Sequence, residues 1–298
     1  MEISIALGGG GSKGNAHIGI LRVLDREGIH IGAMAGSSIG GLIGAVYLAG
    51  YTPDQIEAHL TNVDQEKLFE RVRGDGPGLL GLSHVGELLA PLLNDVTFED
   101  LPIPFAVTSM NLNSGQEFIL NSGRLLDAIM ATIAVPGIFP PKEWGKEILV
   151  DGGVSNPVPV ALVRSMAPHL PVVAVALTQP HKAQVQLPPI DYFGPSPVLR
   201  QISRFRVAQA FNIYLRSVDI SGRLLTDLRL KAEKPDILIR PDVNNIAFLE
   251  QVDVSDVVSL GEIAAEAALG KIRKAASWPA RLARRLRMIK VFSRTPKV

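Results

Sequence analysis

Two side chains stand where chemistry would put a nucleophile and a base. Ser38 is the central residue of Gly36-Ser37-Ser38-Ile39-Gly40, the one register in which this stretch fits G-x-S-x-G, because Ser37 would need glycines where Ala35 and Ile39 stand. A serine there sits on a sharp strand-to-helix turn that lifts its hydroxyl clear of the backbone, and Gly36 and Gly40 leave room for the turn and an approaching acyl group. Asp151 heads Asp151-Gly152-Gly153 at the end of the short apolar run Ile148-Leu149-Val150. Gly152 and Gly153 let the backbone turn tightly beside it, although Asp-Gly is equally a hairpin turn. A third stretch, Gly9-Gly10-Gly11-Ser12-Lys13-Gly14, lies between a strand-like start and a helical pattern. Such a loop turns backbone N–H groups and a helix N-terminus toward one spot, a place for negative charge.

Three chemistries compete for the glycine loop. Gly9, Gly11 and Gly14 match G-x-G-x-x-G, but the next strand ends on Ala35 and Gly36 with no acidic residue to hold a ribose. A phosphate loop of the G-K-[ST] type needs a hydroxyl after the lysine, and Lys13 is followed by Gly14. What remains is an oxyanion hole, with the N–H groups of Gly9, Gly10 and Gly11 aimed at the oxygen that gains charge when Ser38 attacks a carbonyl. His17, one turn into the following helix, is either a hydrogen-bonded structural residue or a base. No His/Asp/Glu cluster has metal-ligand spacing, so neither metal nor cofactor is expected.

These groups can meet only if the elements carrying them end together. Residues 2–7 and 31–35 have the pattern of buried strands, and 42–49 that of a buried helix ended by Gly50. Residues 103–110 predict a strand with a hairpin partner at 117–120, 124–134 a helix, 148–151 a short strand, 172–177 a buried strand and 236–239 a last one before a closing helix at 257–272. In an open parallel sheet the carboxyl ends of neighbouring strands share one crevice, where Ser38, the glycine loop and Asp151 would converge. Thr52 is the expected N-cap of a helix, and residues 54–95 form short helices broken at Gly74-Asp75-Gly76-Pro77-Gly78, with no evident chemistry. Pro136 to Pro141 is a rigid loop suited to walling a pocket. Residues 180–197 form a Pro-rich connector, and the amphipathic pattern of 198–225 would serve either as a roof over the site or as ordinary core helices.

At 298 residues, 47% hydrophobic and 20% charged, the chain can bury a large core. It has no cysteine, hence no disulfide or thiolate nucleophile. The N-terminus lacks a signal-peptide pattern, and no apolar run reaches the ~18 residues that span a bilayer; a cytoplasmic protein, peripheral at most at the inner membrane surface, is expected. The net charge of +1 conceals an asymmetry. Residues 271–298 hold ten Lys/Arg and no acid, so the first 270 carry 20 basic against 29 acidic side chains, net −9. The expected division is a body at 1–275 and a basic tail at 276–298. Helical spacing puts Trp278, Leu282, Leu286 and Ile289 on one face of the tail with arginines flanking, the pattern of an interfacial membrane helix or, more plainly, of a solvated basic terminus. Nucleic acid is disfavoured by the acidic body.

Taken together, the motifs resemble the patatin-like phospholipases. The glycine loop, the Ser38 elbow and Asp151-Gly152-Gly153 occur in that family's order, accompanied by similar stretches at Ala16 to Leu21, Ala134 to Pro141 and Asn156 to Pro159. The likeness runs from about residue 3 to 265. It implies an α/β fold, a three-layer α/β/α sandwich with a mainly parallel central sheet, and a Ser–Asp dyad of Ser38 and Asp151 without histidine. It further implies an oxyanion hole at Gly9, Gly10, Gly11, Lys13 and Gly14, no cofactor, and a lipid or lysophospholipid as acyl-ester substrate. Lys13 replaces the family's commoner arginine and keeps its charge, whereas Asn111 to Gly115 replaces the D-L-x-T-G turn of many bacterial members. Hydrolysis through an acyl-enzyme is expected. The alternatives are acyl transfer on the same dyad, an α/β-hydrolase triad completed by His169 or His181, and a non-catalytic lipid-binding protein.

Overall fold

The first strand, β1 (Glu2–Leu7), shows how the two faces of the sheet differ. Its alternation sends Ile3, Ile5 and Leu7 into a large cluster of branched side chains, and Ala6 into a thinner one with Ala33, Ala35, Ala174 and Ala176. The computed structural model describes residues 1–180 except Glu66 and Asn94, and then 202–277, 279, 280 and 284. After β1 come α1 (Ala16–Arg26), β2 (His30–Ser37), α2 (Ile39–Leu48), α3 (Pro53–Thr61) and α4 (Ser83–Leu93). The middle of the chain forms β3 (Phe105–Asn111), β4 (Gln116–Leu120), α5 (Leu125–Thr132), β5 (Lys142–Trp144) and β6 (Glu147–Asp151). Then follow α6 (Val160–Met166), β7 (Val172–Val175), α7 (Ile202–Glu233), β8 (Ile237–Ile239) and α8 (Val254–Ala275).

The strands lie in the order β5-β6-β3-β2-β1-β7-β8, with β4 also on β3. Strands β3, β2, β1, β7 and β8 are mutually parallel, while β4 and β6 run antiparallel to β3, and β5 antiparallel to β6. Helices α1, α2, α4, α5 and α8 supply the large cluster on one face; α6 and the end of α7 cover the alanine face. This is the expected α/β/α sandwich with a mainly parallel sheet. Thr52 caps α3 as expected, in a reciprocal box with Gln55.

One expectation about direction is corrected. Asp151 does not end a parallel neighbour of β2: β6 runs antiparallel to β3 and, across the two-residue loop Gly145-Lys146, antiparallel to β5 as well. Convergence is achieved differently. On one edge of β3, Val107 to Asn111 pair with β4, and the other edge is shared: Phe105 to Thr108 pair with Met34 to Ser37 of β2, and Ser109 to Asn111 pair with Asp151 to Leu149 of β6. β2 and β6 therefore approach head to head along β3, and their carboxyl ends meet between Thr108 and Ser109.

From Ile202 onward, the pattern expected at 198–225 belongs to a single long helix, α7. Its last turns bury Thr226 and Leu230, while Ile213, Val218, Ile220 and Leu224 are exposed. The connector and most of the tail, including His181, Trp278, Leu282, Leu286 and Ile289, lie outside the described residues. Arg284 is described, and its guanidinium forks onto Asp236 at 2.9 and 3.1 Å, at the amino end of β8 and thus at the opposite end of the sheet from Ser38. Among the described residues no helix is long and apolar enough to cross a membrane.

Candidate active site

Ser38 is the hinge between β2 and α2, with φ 53° and ψ −129°. A serine rarely adopts that conformation, and holding it costs roughly 1–3 kcal/mol. The turn is possible because α2 crosses the strand ends at van der Waals distance: Gly36 lies against Gly41, and Gly40 against the carbonyl of Leu7, with no space for a Cβ at either position. In this turn Ser38 Oγ points at Asp151 and donates to Oδ2 at 2.5 Å, a charge-assisted bond. Both residues are 5% exposed.

Asp151 is held on every side. Its N–H donates to Ala134 O at 2.9 Å, its Oδ1 accepts from Gly153 N–H at 2.7 Å, and Gly152 packs directly on the Thr108 carbonyl. Burial pushes its pKa up to about 6, against the lowering effect of the bonds from Ser38 and Gly153. A carboxyl so placed is a better base than a solvated one and is still ionised at neutral pH.

The glycine loop emerges beside Ser38 because Leu7 and Gly36 are register partners in β1 and β2. Gly9 abuts Ser38 Cβ, Gly10 lies against Leu177 and Gly14 against Ile39. Gly11, at φ +59°, could take no side chain, since a Cβ would strike the Phe248 carbonyl. One expected donor is already committed: Gly9 N–H donates to Pro157 O at 3.0 Å. Gly10 and Gly11, at the start of the 3₁₀ turn Gly11–Asn15, keep amides that the turn itself cannot satisfy. Lys13 is buried beneath this turn, and its charged neighbours are Asp219 and Arg223 of α7 and Glu250; burial lowers its pKa.

Histidine is not interposed in the Ser38–Asp151 contact. His17 is fully buried, its Nε2–H donates to Gly8 O at 2.8 Å, and burial holds its pKa down at about 4, so it is a neutral support under the loop. His169 precedes β7 and so lies at the amino end of the parallel strands, away from Ser38.

Ser38 forms the floor of an apolar cavity of about 160 Å³. Its walls come from stretches whose sequence suggested no chemistry: Leu60 of α3, Leu68 and Phe69, Leu88 and Leu89 of α4, and Phe248 to Val252. Ile133, Val135 and Phe139 complete it, so the Pro-rich loop does wall a pocket. The Gln65 amide joins two of the walls, donating to Val252 O at 3.0 Å and accepting from Val252 N–H at 3.2 Å.

A three-layer α/β/α fold with a buried serine–aspartate pair at an elbow beside a glycine loop defines the class. The model of the patatin-like phospholipase family matches residues 5–164, more than half of the chain, and the chain belongs to that family. Among its relatives, "Uncharacterized NTE family protein Rv1063c" of Mycobacterium tuberculosis is 32% identical over 178 residues, 59% of this chain and 49% of that protein. "Lysophospholipase NTE1" of Mycosarcoma maydis is 28% identical over 183 residues, 56% of this chain but 9% of that protein. The chain spans about half the length of the mycobacterial relatives it matches. The crystal structure of VipD from Legionella pneumophila shares the fold, with a TM-score of 0.56 at 12% identity over 90% of this chain and 66% of that one.

Proposed function

We propose that this chain is a serine lipid acyl hydrolase, acting on the fatty-acyl ester of a phospholipid, lysophospholipid or other carboxylic ester. The observation that carries this reading is the 2.5 Å contact between Ser38 Oγ and Asp151 Oδ2 on the floor of an apolar cavity. Ser38 Oγ attacks the ester carbonyl carbon while its proton passes to Asp151. The carbonyl oxygen takes the negative charge and is met by the amides of Gly10 and Gly11 and by the first free amide of α2, each such donor typically contributing about 10²–10³ in rate. The tetrahedral intermediate collapses, the C–O bond to the alcohol breaks, and the leaving oxygen takes the proton from Asp151. Water then attacks the acyl-enzyme, Asp151 accepts its proton and returns it to Ser38 Oγ, and the fatty acid leaves. Membership of the patatin-like phospholipases and the likeness to a lysophospholipase support the lipid class.

The test is release of p-nitrophenol from a graded series of acyl esters. A cavity of about 150 Å³ holds a group the size of benzene; kcat/KM should therefore climb steeply up to acyl chains of about six carbons and flatten beyond, once further methylenes leave the enclosed space. No turnover of any ester by folded protein would count against the reading.

We further propose that the tail contacts anionic membrane. Truncation after Arg284 keeps the Asp236 fork and removes Arg285, Arg287, Lys290, Arg294 and Lys297. Each such charge contributes about 1 kcal/mol at an anionic surface, so sedimentation with phosphatidylserine vesicles should weaken and lose most of its salt dependence. Unchanged, salt-insensitive binding would remove the tail from the account.

A further inference from the structure

The edge of β3 where β2 ends and β6 begins should leave backbone groups stranded, because β2 turns away at Ser38 before β6 takes over at Ser109. The next donor in line on β2 is Ser38 N–H, and the acceptor it would have met on β3 is Thr108 O. One hydroxyl satisfies both. Ser38 N–H donates to Thr132 Oγ1 at 2.9 Å, and the Thr132 hydroxyl donates to Thr108 O at 2.6 Å. Thr132 and Thr108 are fully buried, so water does not compete for either bond. The side chain thus extends the β2–β3 ladder by one rung while letting the two strands part, which opens the gap that Asp151 fills.

Thr132 ends α5, where a threonine hydroxyl ordinarily bonds back to the helix carbonyl four residues earlier. Here it reaches outward, and its methyl packs beside Gly41 of α2. Two residues on, Ala134 O accepts the N–H of Asp151 at 2.9 Å. The segment Thr132 to Ala134 therefore grips the backbone amides of both members of the pair, Ser38 through a side chain and Asp151 through a carbonyl.

We propose that Thr132 is a positioning residue, whose hydroxyl holds Ser38 in its positive-φ conformation and so sets the reach of Ser38 Oγ to Asp151 and to the substrate carbonyl. This rests on Ser38 being the nucleophile. A hydroxyl that acts on geometry alone should govern kcat and leave substrate binding alone, since the cavity walls do not include Thr132.

The experiment compares Thr132→Val, of nearly equal shape, with Thr132→Ser, which keeps the hydroxyl. Both are assayed for p-nitrophenyl ester turnover and for the rate of fluorophosphonate labelling of Ser38, with thermal denaturation alongside. Displacement of a reacting atom by about 1 Å typically costs ~10²-fold. Thr132→Val should therefore lose about that much in kcat and in labelling rate, with KM within about twofold of wild type. The pH dependence of its remaining activity should keep the wild-type midpoint, because Asp151 keeps its surroundings, and Thr132→Ser should recover most of the loss. Should Thr132→Val fail to fold, Thr132→Ala is compared with Thr132→Ser in the same way. Wild-type labelling rates in the hydroxyl-free variant, equal losses in all variants, or a loss confined to KM would each overturn the proposal. A wild type that fluorophosphonate does not label overturns the nucleophile reading and this inference with it; normal labelling of both wild type and Thr132→Val overturns this inference alone.

Discussion

Ser38→Ala should reduce ester hydrolysis by about 10⁶-fold, the loss typical of removing the nucleophile of a serine hydrolase outright. The variant keeps the rest of the site. Its alanine Cβ occupies the same place beside Gly9, and the backbone N–H still donates to Thr132 Oγ1, so the elbow is held as before. What disappears is the oxygen proposed to form the acyl-enzyme. Asp151 does not replace it, because it is buried behind Ser38 Oγ with one carboxylate oxygen tied to Gly153 N–H. The measurement is p-nitrophenol release together with intact mass after fluorophosphonate treatment. Wild type should gain one adduct and turn over ester; Ser38→Ala should do neither while melting within a few degrees of wild type. Turnover by Ser38→Ala at the wild-type rate would falsify the mechanism and move the chemistry to another residue of the cleft.

The parts of this site that the sequence makes legible are those coded by a few adjacent residues. The elbow at Gly36 to Gly40 is such a part, since its steric demand falls on glycines two or three positions from Ser38. The same holds for Asp151, whose turn is built by the two glycines that follow. Gly9 shows where such reading stops: a glycine in a glycine loop looks like a donor, and only the fold reveals that Pro157, 148 positions away, has taken its amide. The direction of β6 was hidden for a related reason. Strand composition reports burial on each face and is silent on polarity, which shows only in the antiparallel pairing of β6 with β3. The cavity walls at Leu60 to Leu89 and Phe248 to Val252 are mostly apolar residues on short helices and loops, indistinguishable in a sequence from ordinary core. Thr132 is the extreme case. A threonine at the end of a predicted helix carries no signal, and its part follows only from where β2 and β6 meet.

Asp151→Asn carries the second large expectation, and it separates activity from stability. With Asp151 as the proposed base, kcat/KM of wild type should fall tenfold per pH unit below about 6 and level off above, following the raised pKa of Asp151. In Asp151→Asn that limb should vanish along with about 10²–10⁴ of the rate. A histidine base elsewhere would leave the limb in place, which makes its survival in the variant the outcome that sinks the dyad. Stability should move the other way. A carboxyl whose pKa is raised on folding, here from 3.8 to about 6, favours the folded state fully below pH 4 and loses that contribution as pH rises through 6. At pH 8 wild type therefore carries the cost of a buried carboxylate, two pH units or about 3 kcal/mol by linkage. Asparagine keeps an oxygen for Gly153 N–H and has no charge to desolvate. Thermal melts at pH 4 and pH 8 should accordingly show Asp151→Asn gaining on wild type by several degrees at the higher pH, and by little or nothing at the lower. Equal differences at both values would mean that Asp151 is no harder to ionise in the fold than in water, and its strength as a base toward Ser38 would then need another source.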